Sequence, residues 1–490
     1  MQTKNRSTKR KNSSNTRITP LALARPRTSA EWMEEPNLVF ADGAQHPDPK
    51  VGIPLYGPRS LGTGRHKREV HIGFIGTGES VDNAQRFYLE LAEGVDGDEE
   101  HQPFPGCQAD LGFRCDLSTD SNTTALITRQ ETLQILGIKN ERQRFETMLG
   151  LLQSKMEILT QKDHPLDYIV LVLPKDLYKA CRVADYYEKG VGEVHRDLRR
   201  AFKAMAMRFH KPTQILQEAT TLGLSSRDRK LDHKSKIAWN LFTGLYFKID
   251  GLPWGPTGLP PASCFIGVSF FRPLGERSTL RASVVQAFDE NGEGLVLRGH
   301  DFHWDEDKYG RAPHLNEDLA GKLVEMVLER YEKERGQLPQ RVVLHKTSRF
   351  EPNERAGFEQ ALSRIRHYDL LALNPSSEVR LLRLGQYPPL RGTAFTVGNV
   401  SYLYTSGYLS SLAAYPHGHV PSSLQIADHV GDTSRSQILR ESLILTKMNW
   451  NSANFSGLMP ITIRFSRLVG DILREVPPNE EPQPKYKYYM

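Results

Sequence analysis

The sequence predicts an α/β protein of at least two domains, and three observations carry that reading. Short, predominantly apolar runs, at residues 70–75, 167–174 and 264–271, have the length and composition of buried strands. In the first half, such runs lead through a turn into a helix-like segment, the alternation that builds a parallel sheet covered by helices. From Pro260 onward the pattern changes to consecutive strands followed by a long amphipathic helix.

Taken in order, residues 34–60 (EEPNLVFADGAQHPDPKVGIPLYGPRS) are dense in Pro, Gly and Asp and read as a structured loop or arm, not a helix. Residues 70–75 form a strand, Gly76-Thr77-Gly78 a turn and residues 80–91 a helix. A lone GTG is weak as a nucleotide fingerprint, and packing clearance accounts for its glycines. The run DYIVLVLP at 167–174 is a buried strand, with a helical or turn segment from Tyr178. Ligands in open α/β sheets gather beyond the carboxyl ends of strands, which places Tyr178, Lys179 and Arg182 where an anion could bind. Residues 211–217 turn on Pro212 and enter a strand or helix edge. Residues 236–248 (KIAWNLFTGLYFK) form a helix that is apolar on most faces and is stopped by Gly251 and Pro253. Then follow CFIGVSFF, the hairpin LRASVVQAFDENGEGLVLRG with Glu290-Asn291-Gly292 as its turn, a helix at 317–335 and the strand RVVLH. A helix at 357–365, several strands to Tyr404, and helices at 434–447 and 460–473 complete the chain. Strand hairpin, strand, helix, strand, helix is the RNase H-like order.

At 490 residues the chain is too long for one compact core and fits two large domains or three of ordinary size. Its 38% hydrophobic and 25% charged content is ordinary for a globular protein, and no run reaches the roughly 18 apolar residues of a membrane span. The start lacks the apolar core of a secretory signal, so a soluble cytoplasmic protein is expected. Four scattered cysteines, Cys107, Cys115, Cys181 and Cys264, read as buried reduced thiols, not as a disulfide framework. Residues 1–29 carry eight of the 64 basic residues and no acid, leaving 56 basic against 58 acidic residues in the body. Basicity therefore belongs to a solvated N-terminal tail, and any polyanion must be held by local patches.

In an RNase H-like nuclease, strand ends carry carboxylates, because phosphodiester hydrolysis needs hard oxygen ligands that clamp two divalent cations. Here the run Phe265-Ile266-Gly267-Val268 ends at Ser269, and Leu344-His345-Lys346 ends at Thr347. Neither hydroxyl supplies the charge. Asp301, Asp305, Glu306 and Asp307 lie nearby in sequence but read as a solvated loop, since a two-metal site needs its charges to converge.

Several motifs together resemble one family: EEPNLVFADG with DPKVGIPLYGP, LPKDLYKACR, KPTQILQEATT, WNLFTGLYFKIDGLPW, CFIGVSFF, LHKTSRF, LTKMNWNSANFSGLMPITIRFSRLVGDIL and the ending PKYKYYM. In order and spacing these are similar to the short prokaryotic Argonautes, over residues 34–490. The resemblance implies an α/β fold class with a Rossmann-like MID domain followed by an RNase H-like PIWI domain. The expected division is a disordered basic tail at 1–30, the MID domain with its N-terminal arm at 31–255 and an inactive PIWI domain at 256–490.

That resemblance also implies a set of site residues. The guide 5′ phosphate would be held by Tyr178, Arg182, Gln214 and Lys248, with Lys179, Lys211 and Lys236 as further contacts. Such a set suits the chemistry, since cations neutralise phosphate and an aromatic ring stacks on a base. The C-terminal carboxylate at Met490 would help hold a Mg²⁺ ion against the phosphate, a simple packing role for the terminus being the alternative. Ser269, Thr347 and Asn451, with Asn449 beside it, fall at the degenerate catalytic positions, so no cleavage by this chain is expected. The implied partners are a guide RNA, a single-stranded DNA target and an APAZ-domain effector: sirtuin-like by resemblance, with TIR or nuclease effectors as alternatives. The implied role is that of a bacterial immune sensor whose partner depletes NAD and causes abortive infection, in a complex expected to oligomerise on activation. Two readings of other classes stay open, a standalone guided nuclease with an atypical metal site and a nucleic-acid-binding protein without a partner.

Overall fold

The computed structural model describes residues 28–490 apart from 109, 190–191, 226–229, 275–278, 289–293, 377, 410–414, 416–419, 455–456 and 478–479. The chain begins with an arm of short strands, β1 (Thr28–Trp32), β2 (Leu38–Val39) and β3 (Gln45–His46), and a helix α1 (Pro49–Tyr56). Residues 34–60 were expected to lack a helix, and α1 corrects this. Asp48 caps α1 by accepting the Lys50 amide at 2.8 Å, Pro49 sits where a missing N–H costs nothing, and Gly57 ends the helix at φ +83°. The density of Pro and Gly thus marks the helix ends as much as it marks loops. Most of the basic tail lies outside the described residues, but Thr28 to Ala30, its last three residues, already pair in β1.

A first α/β unit follows: β4 (Glu69–Gly76), α2 (Gly78–Glu93), β5 (Asp116–Ser118), β6 (Thr124–Leu126), α3 (Arg129–Gly137), α4 (Glu141–Gln161), β7 (Tyr168–Leu173) and α5 (Lys175–Cys181). Next come the hairpin β8 (Val183–Glu188) and β9 (Gly192–Asp197), α6 (Leu198–Ala206), β10 (Thr213–Gln217), α7 (Glu218–Thr221) and α8 (Lys234–Lys248). The parallel sheet runs β10-β7-β4-β5, with β6 also beside β4, so β10 is an edge strand. Every residue of β7 is buried, as its uninterrupted apolar run requires.

The second unit contains β11 (Gly255–Pro256), β12 (Ser263–Phe271), β13 (Thr279–Phe288), β14 (Gly294–His303), α9 (Glu306–Tyr309), α10 (Glu317–Arg335), β15 (Arg341–Lys346), α11 (Pro352–Leu362) and β16 (His367–Ser376). It closes with β17 (Thr393–Val397), β18 (Val400–Leu403), β19 (Ser423–Gly431), α12 (Arg435–Leu445) and α13 (Ile461–Leu473). Its nine-stranded mixed sheet runs β1-β17-β18-β19-β16-β15-β12-β13-β14 and includes the first strand of the arm. The proposed hairpin turn at Glu290-Asn291-Gly292 lies outside the described residues, but β13 and β14 pair antiparallel on either side of it. Alternate residues of the central strands face α10 and α11, where Ile266, Val342, Leu344 and Leu370 are buried. The others face α12 and α13, where Phe265, Val343 and Leu371 are buried.

The two units share one core through α8. Its Trp239, Phe242 and Tyr246 pack against Phe104 and Phe113 of the first unit, while Phe247 stacks on Trp450 of the second at 4.8 Å. The indole N–H groups of Trp254 and Trp450 donate to the carbonyls of Lys447 and Trp254, so these buried rings leave no donor unmet. Arg196 and Arg200 of the first unit pair with Glu475 (3.0 Å) and Asp471 (3.5 Å) of the second. All four cysteines are buried free thiols. Among the described residues, no helix is long and apolar enough to cross a membrane.

Candidate nucleic-acid interface

Six lysines are buried among the described residues, and four of them meet a carboxylate: Lys155 with Glu131, Lys346 with Glu354, Lys447 with Glu35 and Lys487 with Asp250. Lys203 and Lys248 do not. Both ammonium groups donate instead to one backbone oxygen, the Thr213 carbonyl, and Lys248 also donates to Gln214 Oε1 at 2.7 Å. Thr213 opens the edge strand β10, whose outward carbonyls find no partner in the sheet ladder.

Local sequence explains how the two side chains come together. Asp197 caps α6 by accepting the Arg200 amide, and Leu198, Ala201, Phe202 and Met205 bury one stripe of it. Arg199 and Lys203, one turn apart, fall on a common side of this helix. Helix α8 ends at Lys248, and Asp250 behind it adopts φ +74°, held by Lys487 at 2.6 Å. The last turn of a helix is a favourable place for a cation, because unsatisfied carbonyls gather there. Burial first, and then the Arg199 charge, nonetheless lower the Lys248 ammonium from 10.5 to about 7. Burial, then Lys248 and Arg199, push Lys203 well below the ordinary lysine range. Among the described residues, no carboxylate reaches either ammonium group.

Tyr486 adds a second open valence. Its ring stacks on Phe465 of α13 with centroids 3.4 Å apart, and its buried hydroxyl has no hydrogen-bond partner. Burial raises its pKa above the usual phenol range, and the charges of Arg464 and Arg199 pull in the opposite direction, so this hydroxyl lies in the field of two exposed guanidinium groups. Arg199, Lys203, Gln214, Lys248, Arg464 and Tyr486 therefore bring four elements and the C-terminal segment to one cation-rich place.

The structure gathers only some of the residues expected from sequence. Gln214 and Lys248 are in direct contact. Tyr178 and the exposed Lys179 lie on α5 and the exposed Arg182 at its end, beyond the carboxyl end of β7. The crevice there is already occupied by the chain's own anion: Glu218 accepts Ser80 Oγ of α2 at 2.8 Å and the Lys175 amide of α5 at 3.2 Å. Lys211 donates to the Leu166 carbonyl at 2.6 Å, before the start of β7. Lys236 pairs with Asp232 in the first turn of α8, 12 residues and roughly 18 Å of helix from Lys248. Met490 is buried in the shared core with Tyr486 and Tyr489. Sequence reasoning passed over Arg199 and Lys203. Their signal was a basic pair at i and i+4, shortly before Pro212-Thr213-Gln214.

A cavity of about 280 Å³ adjoins the cluster through Gln214 and is lined also by Leu216, Ile237, Asn240, Leu241 and Asn451. Asn451 thus faces the first unit, and neither Ser269 nor Thr347 lines this cavity. The β12–β15 register pairs Gly267 with His345 and, carried two residues on, sets Ser269 beside Thr347. His345 next to them is buried, its Nδ1 lies 2.8 Å from Thr462 Oγ1, and burial, then Arg341, depresses its pKa to about 3, so it is neutral at pH 7. Asp301 is bound to Arg281, Glu306 to Arg272, and Asp305 caps the short helix α9. Among the described residues, no set of three His, Cys, Asp or Glu side chains converges at Ser269 and Thr347.

No family profile matches the chain, and no curated protein matches it in sequence. Its fold matches solved Argonautes. A structure of Clostridium butyricum Argonaute bound to a guide DNA and a 19-mer target DNA aligns with a TM-score of 0.64 at 15% identity, over 92% of this chain and 54% of that one. Drosophila Piwi aligns at 0.58 and 13% identity over 94% and 56%, and Marinitoga piezophila Argonaute in complex with a 5′ OH guide RNA at 0.57 and 13% over 90% and 57%. The chain spans a little over half the length of these structures. It has the fold of the Argonaute MID and PIWI domains, the first unit being the MID-like one and the second the PIWI-like one.

Proposed function

We propose that this chain anchors the 5′ phosphate of a guide RNA between its two domains, displays the guide for pairing with DNA, and signals through a partner chain without cutting. The observation that carries the proposal is the pair of buried ammonium groups, Lys203 and Lys248, that meet no carboxylate while four other buried lysines do. A phosphate dianion offers several strong acceptor oxygens and the missing charge, which suits the two lysines, the Tyr486 hydroxyl and the Arg199 and Arg464 guanidinium groups. Guide and target pairing then reads sequence while the protein reads backbone shape. The cationic field opposes a lone metal ion, so Mg²⁺ would enter only with the phosphate, with the Met490 carboxylate as its protein ligand.

Ser269 and Thr347, side by side at the ends of β12 and β15, support a sensor over a nuclease, because neither hydroxyl can carry the negative charge that a two-metal site requires, while Asn451 faces the first unit instead. Output then belongs to another chain. An APAZ-containing effector, sirtuin-like by the resemblance of LHKTSRF, would be switched on by target pairing and would deplete NAD in a cell under invasion. The test is to purify the chain with its bound nucleic acid and examine the ends. Short RNAs carrying 5′ phosphates are expected. Recovery of 5′-hydroxyl strands, or of no nucleic acid, would overturn the anchoring step.

A further inference from the structure

Away from that site, three side chains converge with no role in it. Asp98 and His101 stand on the loop that follows α2, and His233 is the N-cap of α8. Their ligand atoms all lie within 4.8 Å of one another. We propose that Asp98, His101 and His233 bind a divalent transition-metal ion of the zinc class, which pins this loop to the first turn of α8.

The loop is built to present its two donors. Val95 and Phe104 pair in a narrow bridge, and Asp98 Oδ1 accepts the amides of Glu100 (2.9 Å) and His101 (2.7 Å). That turn fixes the Asp98 carboxylate with Oδ1 on the loop and Oδ2 directed toward His233 Nε2, 3.7 Å away. On the helix side, His233 Nδ1 lies 2.9 Å from Ser235 Oγ. There Nδ1 also accepts the Ser235 amide at 3.3 Å as the N-cap of α8, so binding a metal at Nε2 moves the ring proton to Nδ1, which then donates to the Ser235 hydroxyl as the outer hydrogen bond of a ligating histidine. Two imidazole nitrogens and one carboxylate oxygen suit zinc, with water as the fourth ligand, and the absence of thiolate disfavours softer ions.

The two imidazole rings are stacked, with centroids 4.7 Å apart and planes 14° from parallel. Sharing one ion requires them to turn from this stack toward a common edge, and both side chains are about 30% exposed and have room to do so. The gain would be structural. His101 and His233 are separated by 132 residues, so a bond between them closes a long loop that the unfolded chain must leave open. It would also steady the segment before α8, where Lys230, Leu231 and Asp232 form one wall of the 280 Å³ cavity.

The experiment is a titration of the full chain with Co²⁺, followed by visible absorption, and then displacement by Zn²⁺. One equivalent of tightly bound Co²⁺ with a d–d band is expected, together with a rise in the apparent melting temperature on adding Zn²⁺. His101→Gln should lower the affinity at least about 10-fold and abolish the melting shift. Asp98→Asn keeps the turn acceptor and should act in the same direction, so a folding defect in one variant leaves the other to decide. Absence of the band in the wild type, or a band that survives in both variants, would refute the site.

Discussion

Replacing Lys248 by Met keeps the length of the side chain and removes its charge, and the structure predicts opposite effects on stability and on binding. Lys248 titrates near 7 in the folded chain against 10.5 for an ordinary lysine. Between those values the unfolded chain holds more protons than the folded one, so stability rises as pH rises from about 7 toward 10, and the charged lysine costs the fold roughly 3 to 5 kcal/mol at neutral pH. Lys248→Met should therefore be more stable to urea than the wild type at pH 7, with the advantage gone near pH 10. Binding should move the other way. A charge-assisted hydrogen bond to phosphate is worth about 1.5 to 3 kcal/mol, so the preference for a 5′-phosphorylated over a 5′-hydroxyl RNA should fall by about 10- to 100-fold. A phosphate also raises the lysine pKa when it binds, so wild-type preference should weaken as pH climbs above 7, and the variant should lose that slope. The assay is fluorescence anisotropy with labelled RNAs of both kinds, beside urea unfolding over the same pH range. A variant that is destabilised at pH 7 and keeps the phosphate preference would show that Lys248 is a packing residue and would refute the reasoning.

Three further outcomes follow from particular contacts. Lys203→Met should reduce the 5′-phosphate preference as Lys248→Met does, whereas Lys211→Ala and Lys236→Ala, whose ammonium groups are engaged elsewhere, should change it less than about 2-fold in the same assay. Glu35→Ala strips the carboxylate from buried Arg391 and Lys447 and should destabilise the fold by about 3 to 5 kcal/mol, read as a lowered urea midpoint; an unchanged midpoint would mean the pair is dispensable. The purified chain, loaded with guide, should leave a labelled complementary DNA intact in Mg²⁺ or Mn²⁺, and guide-dependent cleavage would restore the reading of a standalone nuclease.

Much of the scaffold was legible because apolar runs and caps are local. The α10 helix has the bounds its amphipathic spacing gives, with Asn316 capping it and Gly336 ending it in the left-handed region. The β7 and β12 strands are the predominantly apolar segments, and α8 is the helix that is apolar all round because it is buried between the two units. The α1 helix was missed because Pro and Gly were read as breakers, although Asp48-Pro49 is itself a start signal. The β19 strand, in the middle of the nine-stranded sheet, gave too little alternation to be seen.

The site was less legible, for a reason its own lysines make plain. Whether a carboxylate reaches a buried lysine is set by tertiary contact. Lys447 is neutralised by Glu35 from 412 residues away, while Lys248, equally buried, faces only oxygen dipoles from Thr213 and Gln214. Nothing in WNLFTGLYFK or LTKMNW distinguishes these two fates. The sequence reading grouped Gln214 with Lys248, and the structure puts the two side chains in contact. Sequence could not choose between Arg182 and the Arg199–Lys203 pair, because the packing of α6 beside the edge strand β10 decides which cations share the Thr213 carbonyl. At the carboxyl ends of β4 and β7, the usual ligand crevice of such a sheet, Glu218 accepts Ser80 Oγ and the Lys175 amide, a contact that the sequence does not announce. At the edge of β10, by contrast, two ammonium groups without a carboxylate partner share the Thr213 carbonyl at the junction of the two units, and it is there that the proposed anchoring of a phosphate is to be tested.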